Sequence, residues 1–286
     1  MEPAPHNTLD ALLPPEMAEK AERIGMEKTL LDTMSLLALA VLAGAFIAFG
    51  ALFSTIVAAG ADGFLSYGVV RLLAGVVFSL GLILVIVGGA ELFTGNNLMV
   101  MAYAGGKVSA TEVLRAWSLV YVGNFVGAGG TALLVFLAEG YSHGGGTVGA
   151  AALATAQTKG SFSLLQGFVH GILGNVLVCL AVWLCYSART TTDKILAIVP
   201  PVAAFVAAGF EHSIANMYLL SFGLLTKFGA PTAFWESIGQ SQSIFIYLSP
   251  SFALKNLFSV TIGNMVGGAL VGVTYWLIYL RKRKPR

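Results

Sequence analysis

Beyond its first thirty residues the chain is a succession of long apolar runs separated by short polar stretches. A hydrocarbon core about 30 Å thick takes about 20 helical residues to cross. Six runs reach that length, at approximately 33–59, 68–104, 111–138, 162–187, 195–226 and 254–280. The pattern predicts an all-α integral membrane protein with six transmembrane helices. The second and fifth runs are too long for one straight span, and polar residues puncture both midway. The interruptions read Glu91-Leu-Phe-Thr-Gly-Asn-Asn97 and Gly209-Phe-Glu-His-Ser-Ile-Ala-Asn216, the second preceded by Pro200-Pro201. Charge at membrane depth costs a few kcal/mol unless it meets a cavity or a partner. Irregular backbone survives there only where protein buries it or water wets it. These two helices are therefore expected to be broken.

An internal repeat accounts for the pairing. Gly123-Asn-Phe-Val-Gly127 in the third run matches Gly263-Asn-Met-Val-Gly267 in the sixth, each after an interruption that carries a Glu. Three helices per half make the two halves inverted relative to each other. Matching broken helices in an inverted 3+3 repeat point to a pathway at the interface of the halves.

Composition narrows the class. Hydrophobic residues make up 57% and charged residues 10% of the 286, and the mean hydropathy is +0.81. Soluble domains carry about 25% charged residues, so a water-covered surface is excluded. The 34 glycines suit helices packed backbone to backbone. A formal net charge of +2 says little, because the charges are segregated along the chain. One side of the predicted bundle takes Lys20, Arg23, Lys28, Lys107, Arg115, Arg189 and Lys194. It also takes the basic tail from Arg281 onward, whereas Arg71, Lys159, Lys227 and Lys255 fall elsewhere. The positive-inside rule then puts both termini in the cytoplasm, and the expected location is the cell (inner) membrane. Residues 1–30 have no signal-peptide core and read as a cytoplasmic segment, 31–281 as the channel domain and 282–286 as a basic cytoplasmic tail. That tail suits orientation and anionic lipid better than nucleic acid. Cys179 and Cys185 lie on different faces of one helix and are expected to face lipid or to pack, with no disulfide or metal site. No phosphate loop, thiolate cluster or nucleophile elbow is present, so an enzyme, a cofactor and a metal are not expected.

The candidate chemistry is sparse. His212 lies deep in an apolar run among polar neighbours. It reads either as a core residue bonding two helices or as a proton exchanger or anion ligand, with an ordinary pKa near 6.5. His170 reads as packing or cavity-lining, and His6 and His143 carry no signal. Thr94 either caps the half-helix that follows it or bonds the solute or His212. Asn124, Asn175 and Asn264 read as amides bridging helices. Glu91 and Glu211 are expected to hold broken backbone at half-helix ends. Lys159, at the outer mouth of the fourth run, is either an interfacial lysine or a charge that gathers anions.

Several stretches together resemble the formate/nitrite transporter family: Phe78-Ser-Leu-Gly-Leu82, Glu91-Leu-Phe-Thr-Gly95, Leu180-Ala-Val-Trp183, Gly209-Phe-Glu-His-Ser-Ile-Ala-Asn-Met217 and Thr261-Ile-Gly-Asn264. They occur in the family's order and span about residues 28–283. The resemblance implies an aquaporin-like protomer fold and a homopentamer with one pore per protomer. It implies passage of small monovalent weak-acid anions, formate first, with nitrite, hydrosulfide, acetate or lactate as alternatives. It makes His212 the central His, Thr94 the loop Thr, Lys159 the vestibule Lys and Asn264 the His-facing Asn. Two apolar constrictions follow, Phe78 with Leu82 and Leu92 with Phe205. Glycine-rich faces at Gly123, Gly127, Gly130, Gly263, Gly267 and Gly268 are the expected subunit contacts. Asn96-Asn97 departs from the smaller polar residues expected after the loop Thr, and the stretch from about 227 to 253 departs more widely. An aquaporin-like channel for neutral solutes lacks its paired Asn-Pro-Ala boxes here. An intramembrane enzyme built on Glu211 and His212 lacks converging partners.

Overall fold

A computed structural model describes residues 11–61 and 64–281. Residues 1–10, 62–63 and 282–286, and with them His6 and the basic tail past Arg281, lie outside the described residues. Every α-helix or 3-10 turn, and no strand, makes up the regular structure of the described part. The α-helices are α1 (Pro14–Thr29), α2 (Thr33–Ala58), α3 (Tyr67–Gly88), α4 (Phe93–Asn96), α5 (Val100–Ala104) and α6 (Ala110–Leu137). They continue with α7 (Thr147–Ser161), α8 (Leu164–Ser187), α9 (Thr191–Ala207), α10 (Ser213–Gly229), α11 (Thr232–Ile238) and α12 (Pro250–Tyr279). Five of them, α2, α3, α6, α8 and α12, are long and apolar enough to cross a membrane. The apolar pattern contains no sign of α1, α7 or α11, which are short or weakly apolar.

Local chemistry explains where the helices start and stop. Asp32 caps α2 by accepting from the backbone N–H of Met34 and Ser35 at 3.0 Å. Ser163 and Gln166 form a reciprocal capping box at the start of α8. The long second run ends its first helix at Gly89 and the fifth turns at Gly209 just past α9, with φ of 77° and 75°. That left-handed conformation carries little strain in a residue without Cβ and ends a helix by redirecting its carbonyls. Two short loops result, residues 89–92 and 208–212.

Glycines also set how closely helices approach. A Cβ on Gly44 would collide with the Asn124 carbonyl and one on Gly127 with the Val41 carbonyl, which ties α2 to α6. Gly263 abuts the Phe168 carbonyl and Gly267 the Ile172 carbonyl, which ties α8 to α12 in the same way. This corrects the expected subunit contacts. Gly123, Gly127, Gly263, Gly267 and Gly268 are consumed by packing inside the chain, and only Gly130 of that set has open space. The two cysteines are free and buried among packed helices rather than facing lipid.

Candidate functional site

The two loops are held by corresponding sets of hydrogen bonds. At the first, Glu91 N–H donates to the Leu39 carbonyl of α2 at 3.2 Å. Asn124 of α6 donates to the carbonyls of Ala40 (2.7 Å) and Glu91 (2.9 Å) and accepts from Phe93 N–H (2.9 Å). At the second, Glu211 N–H donates to the His170 carbonyl of α8 at 3.2 Å. Asn264 of α12 donates to the carbonyls of Gly171 (2.7 Å) and Glu211 (3.0 Å) and accepts from Ser213 N–H (2.9 Å). Backbone groups in a turn have no helical partners, and a buried side-chain amide supplies both a donor and an acceptor.

The carboxylates correspond as well. Glu91 takes Lys28 Nζ on both oxygens, at 2.6 and 2.7 Å, and Asn96 Nδ2 at 2.8 Å. Glu211 takes Lys159 Nζ at 2.6 Å and Asn216 Nδ2 at 2.6 Å, with Asn256 Nδ2 at 3.3 Å. Each buried charge is therefore paired and hydrogen-bonded, which is what burial demands. Lys159 is thus ion-paired and mostly buried, its side chain 13% exposed, rather than a solitary wet charge. Lys28 lies on α1, ahead of the first long apolar helix, and no spacing in the sequence pointed to it.

Two positions differ between the loops: Ala90 precedes Glu91 where Phe210 precedes Glu211, and Leu92 follows Glu91 where His212 follows Glu211. The His212 ring is buried, and its bonds fix the tautomer. The Ala215 backbone N–H can only donate, so Nδ1 at 3.1 Å accepts. The ring proton then sits on Nε2 and is donated to Thr94 Oγ1 at 2.8 Å. Of the roles open to Thr94, this assigns contact with His212. Asn264, implied to face His212, spends its amide on backbone instead and does not bond the ring. Asn175 bonds the carbonyls of Thr94 (3.3 Å) and Asn264 (2.6 Å), so it ties α4 to α12.

Two cavities approach this centre. A smaller one of about 440 Å³ is lined by Lys20, Lys28, Leu82, Leu92, Cys185 and Lys194 among others. A larger one of about 780 Å³ is lined by Arg71, Phe78, Lys159, His170, Phe205 and His212 among others. His170 and Cys185 line one each from the same helix, α8, and at 1.5 Å per residue they stand about 22 Å apart along it. The apolar side chains regroup accordingly. Phe78 meets Phe205 edge to face, centroids 5.5 Å apart, at the larger cavity, whereas Leu82 and Leu92 share the smaller one. The expected pairs were Phe78 with Leu82 and Leu92 with Phe205. Phe78 and Leu82 are one turn apart on α3 and so lie at different depths, which separates them. Thr94 and Asn264 are fully buried and line neither cavity. Arg71 lines the larger cavity and was passed over in the sequence, although a charge inside an apolar run was itself a signal.

A family model described as formate/nitrite transporter matches residues 15–277. The chain is 42% identical over 278 residues to a formate channel of Escherichia coli, covering 96% of this chain and 97% of that one. It is 35% identical over 285 residues to a probable formate transporter of Methanothermobacter thermautotrophicus, covering 94% and 97%. A solved pentameric formate channel with formate bound superposes with a TM-score of 0.83 at 42% identity, covering 87% of this chain and 98% of that one. An ion channel of the same family superposes with a TM-score of 0.76 at 28% identity, covering 92% and 98%. With its apolar helices and these full-length likenesses, the chain is a multi-pass membrane protein that belongs to the formate/nitrite transporter family.

Proposed function

We propose that the chain is a channel for small monovalent weak-acid anions, formate first, working as a homopentamer in the inner membrane with both termini cytoplasmic. The observation that carries this reading is His212: a tautomer-fixed N–H donor on the wall of the larger cavity, bonded to Thr94 just past the loop that walls the smaller one. The naming of relatives as formate channels, and of a solved neighbour as a pentamer with formate bound, supports solute and assembly. Nitrite and hydrosulfide are the alternative solutes within the family.

In this reading residues 31–281 form the channel domain, with six spans. Four are α2, α6, α8 and α12. The other two are α3 continued by α4 and α5, and α9 continued by α10, each broken at its loop. The corresponding loop bonds support an inverted 3+3 repeat. Phe78 with Phe205, and Leu82 with Leu92, act as the two constrictions. An apolar ring rejects a hydrated anion, since stripping its water costs many kcal/mol, but lets a neutral acid pass. A carboxylate that reaches His212 meets an Nε2–H held by Thr94 Oγ1 and must take that bond from the hydroxyl. For the ring to hand that proton over, Nδ1 must first gain one and give up its bond to Ala215. Proton transfer at His212 is therefore slow to prepare and visible in the pH profile.

The test is a panel of monovalent anions, with glycerol as the neutral control, in proteoliposomes at several pH values. Formate flux that rises with acidity in the wild type, and a weaker or differently selective leak in His212→Asn, are expected. Equal uptake with an identical pH profile in correctly assembled His212→Asn would leave His212 as structure only. Glycerol flux exceeding formate flux would replace the reading with a neutral-solute channel. Native mass spectrometry in mild detergent is expected to give the pentamer mass, and mainly monomers would count against it.

A further inference from the structure

The larger cavity contains two side chains that this mechanism leaves unused. Arg71 of α3 lines it and forms no ion pair among the described residues. Its guanidinium is planted on the carbonyl end of α9, donating to Val206 and, through Nε at 3.3 Å, to Ala207. A helix C-terminus carries partial negative charge, so this seat holds the cation firmly without cancelling it. Lys159, by contrast, is spent on Glu211. Of the two cations that line the cavity, Arg71 is the one left to attract an anion.

His170 stands beside the same backbone. Its Nδ1 lies 3.1 Å from the Gly209 carbonyl. A carbonyl can only accept, so Nδ1 carries the proton and Nε2 holds the free lone pair. Phe162 stacks on the ring at 5.2 Å and Phe210 meets it edge-on at 6.1 Å, so its orientation is set. Nε2 has no hydrogen-bond partner among the described residues, and it is not among the buried unpaired atoms. It is therefore open to the cavity that His170 lines. Arg71 and His170 hold neighbouring carbonyls of one segment, 206–209, and a Cβ on Gly209 would stand 3.5 Å from Arg71 Nη2.

The two histidines of the pathway thus hold opposite tautomers. His212 loses a backbone bond if it takes a second proton, whereas His170 takes one at Nε2 and loses nothing. We propose that Arg71 and His170 form an anion-binding station in the larger cavity, apart from the Lys159–Glu211 pair, which gains a second charged donor when His170 is protonated. The station rests on the channel reading above for its solute, a small carboxylate. Neutral His170 offers that carboxylate only a lone pair, which repels it. Protonated His170 offers N–H and a positive charge, so proton and anion bind there cooperatively. The other ionisable groups facing this ring are few. They are Arg71 and Tyr67 of α3, Lys159 of α7, and Glu211 and His212 of the loop. From α12, Lys255 lies over Phe252 at 4.9 Å and does not line the cavity.

Two readouts on the full-length protein test this. In proteoliposomes, the half-saturating formate concentration of the wild type falls as pH on the larger-cavity side drops from 7.5 to 5.5. In His170→Gln that fall flattens, leaving half-saturation about tenfold higher at pH 5.5, the order expected from losing one charged contact. Arg71→Gln raises it at both pH values and Arg71→Lys restores part of the loss. The second readout needs no transport: imidazole NMR in nanodiscs, with the His170 signal assigned by its loss in His170→Gln. Added formate moves the titration of that signal to higher pH in the wild type and less in Arg71→Gln. An unchanged pH dependence of half-saturation in His170→Gln, or a His170 titration indifferent to formate, overturns the station. Absent formate flux in the wild type together with a formate-sensitive His170 titration would instead overturn the channel reading and keep the station.

Discussion

The loops at 89–92 and 208–212 are built alike and wall different cavities. Each turns at a left-handed glycine, each is clasped by an Asn from a neighbouring helix, and each carries a Glu paired with a Lys and an Asn. The differences are two side chains, Ala90 against Phe210 and Leu92 against His212, and the depth of the ion pair. Lys28 and Glu91 are 22% and 10% exposed, whereas Lys159 and Glu211 are 13% and 3% exposed. The shared parts are what irregular backbone needs when water is scarce. What remains after subtracting them is chemistry: a polar donor in the second loop where the first has only an apolar wall.

The largest effect should come from breaking the deeper pair. Glu211→Ala leaves Lys159 buried without a partner, a loss of about 3–5 kcal/mol in comparable cases, and Glu91→Ala should cost clearly less because Lys28 can reach water. Thermal unfolding of the two variants in one detergent checks the order, and a larger drop for Glu91→Ala would refute it. Lys159→Ala, a natural choice for removing a vestibule charge, strands Glu211 in the same way and is expected to lower stability. It is therefore a poor probe of anion recruitment.

The clasping amides come next. Asn264→Leu and Asn124→Leu each orphan one loop carbonyl and one N–H and remove a second bond from a helical carbonyl, and stability should fall by about 1–3 kcal/mol in both. Similar losses measure how far the two scaffolds are equivalent. A loss confined to one variant would show that only one loop depends on its clasp.

His212→Leu makes the second loop resemble the first. It removes the acceptor for Ala215 N–H, worth about 0.5–2 kcal/mol as a helix cap, and should abolish acid-dependent formate flux while the protein still assembles. Flux that persists with its pH dependence would mean the difference between the loops is not functional.

The smallest effect separates α2 from α8. α2 is capped by Asp32, whose carboxyl is held below the usual carboxylate range by hydrogen bonds from Ser35 and then from Met34. A depressed folded-state pKa stabilises above the unfolded value, and the benefit is lost as pH falls through the folded one. α8 is capped by Ser163 and Gln166, which do not titrate there. The melting difference between wild type and Asp32→Ala should therefore shrink on acidification below about pH 4. The difference for Ser163→Ala should stay constant, and parallel behaviour of the two would remove the charge argument.

Much of this was written in the residue order. Apolar runs located the long helices because a helix in lipid has no other means of hiding its backbone. Polar residues inside two runs located both loops, and Gly-Asn-x-Val-Gly located the helices that clasp them. The Glu residues, His212 and Thr94 were legible for the same reason: polarity in an apolar run is costly and stands out. What the order of residues left open was who meets whom. Lys28 arrives from the helix ahead of the long apolar ones, Asn264 turns to backbone rather than to His212, and Phe78 pairs with Phe205 across helices rather than with Leu82 along one. The tautomers of His212 and His170 likewise follow from which backbone atom each ring touches. Burial and helix length depend on composition over a dozen or more residues, so the sequence carries them. Pairing between distant residues depends on how helices cross within a few ångströms, and that is decided only when the glycines let the backbones close.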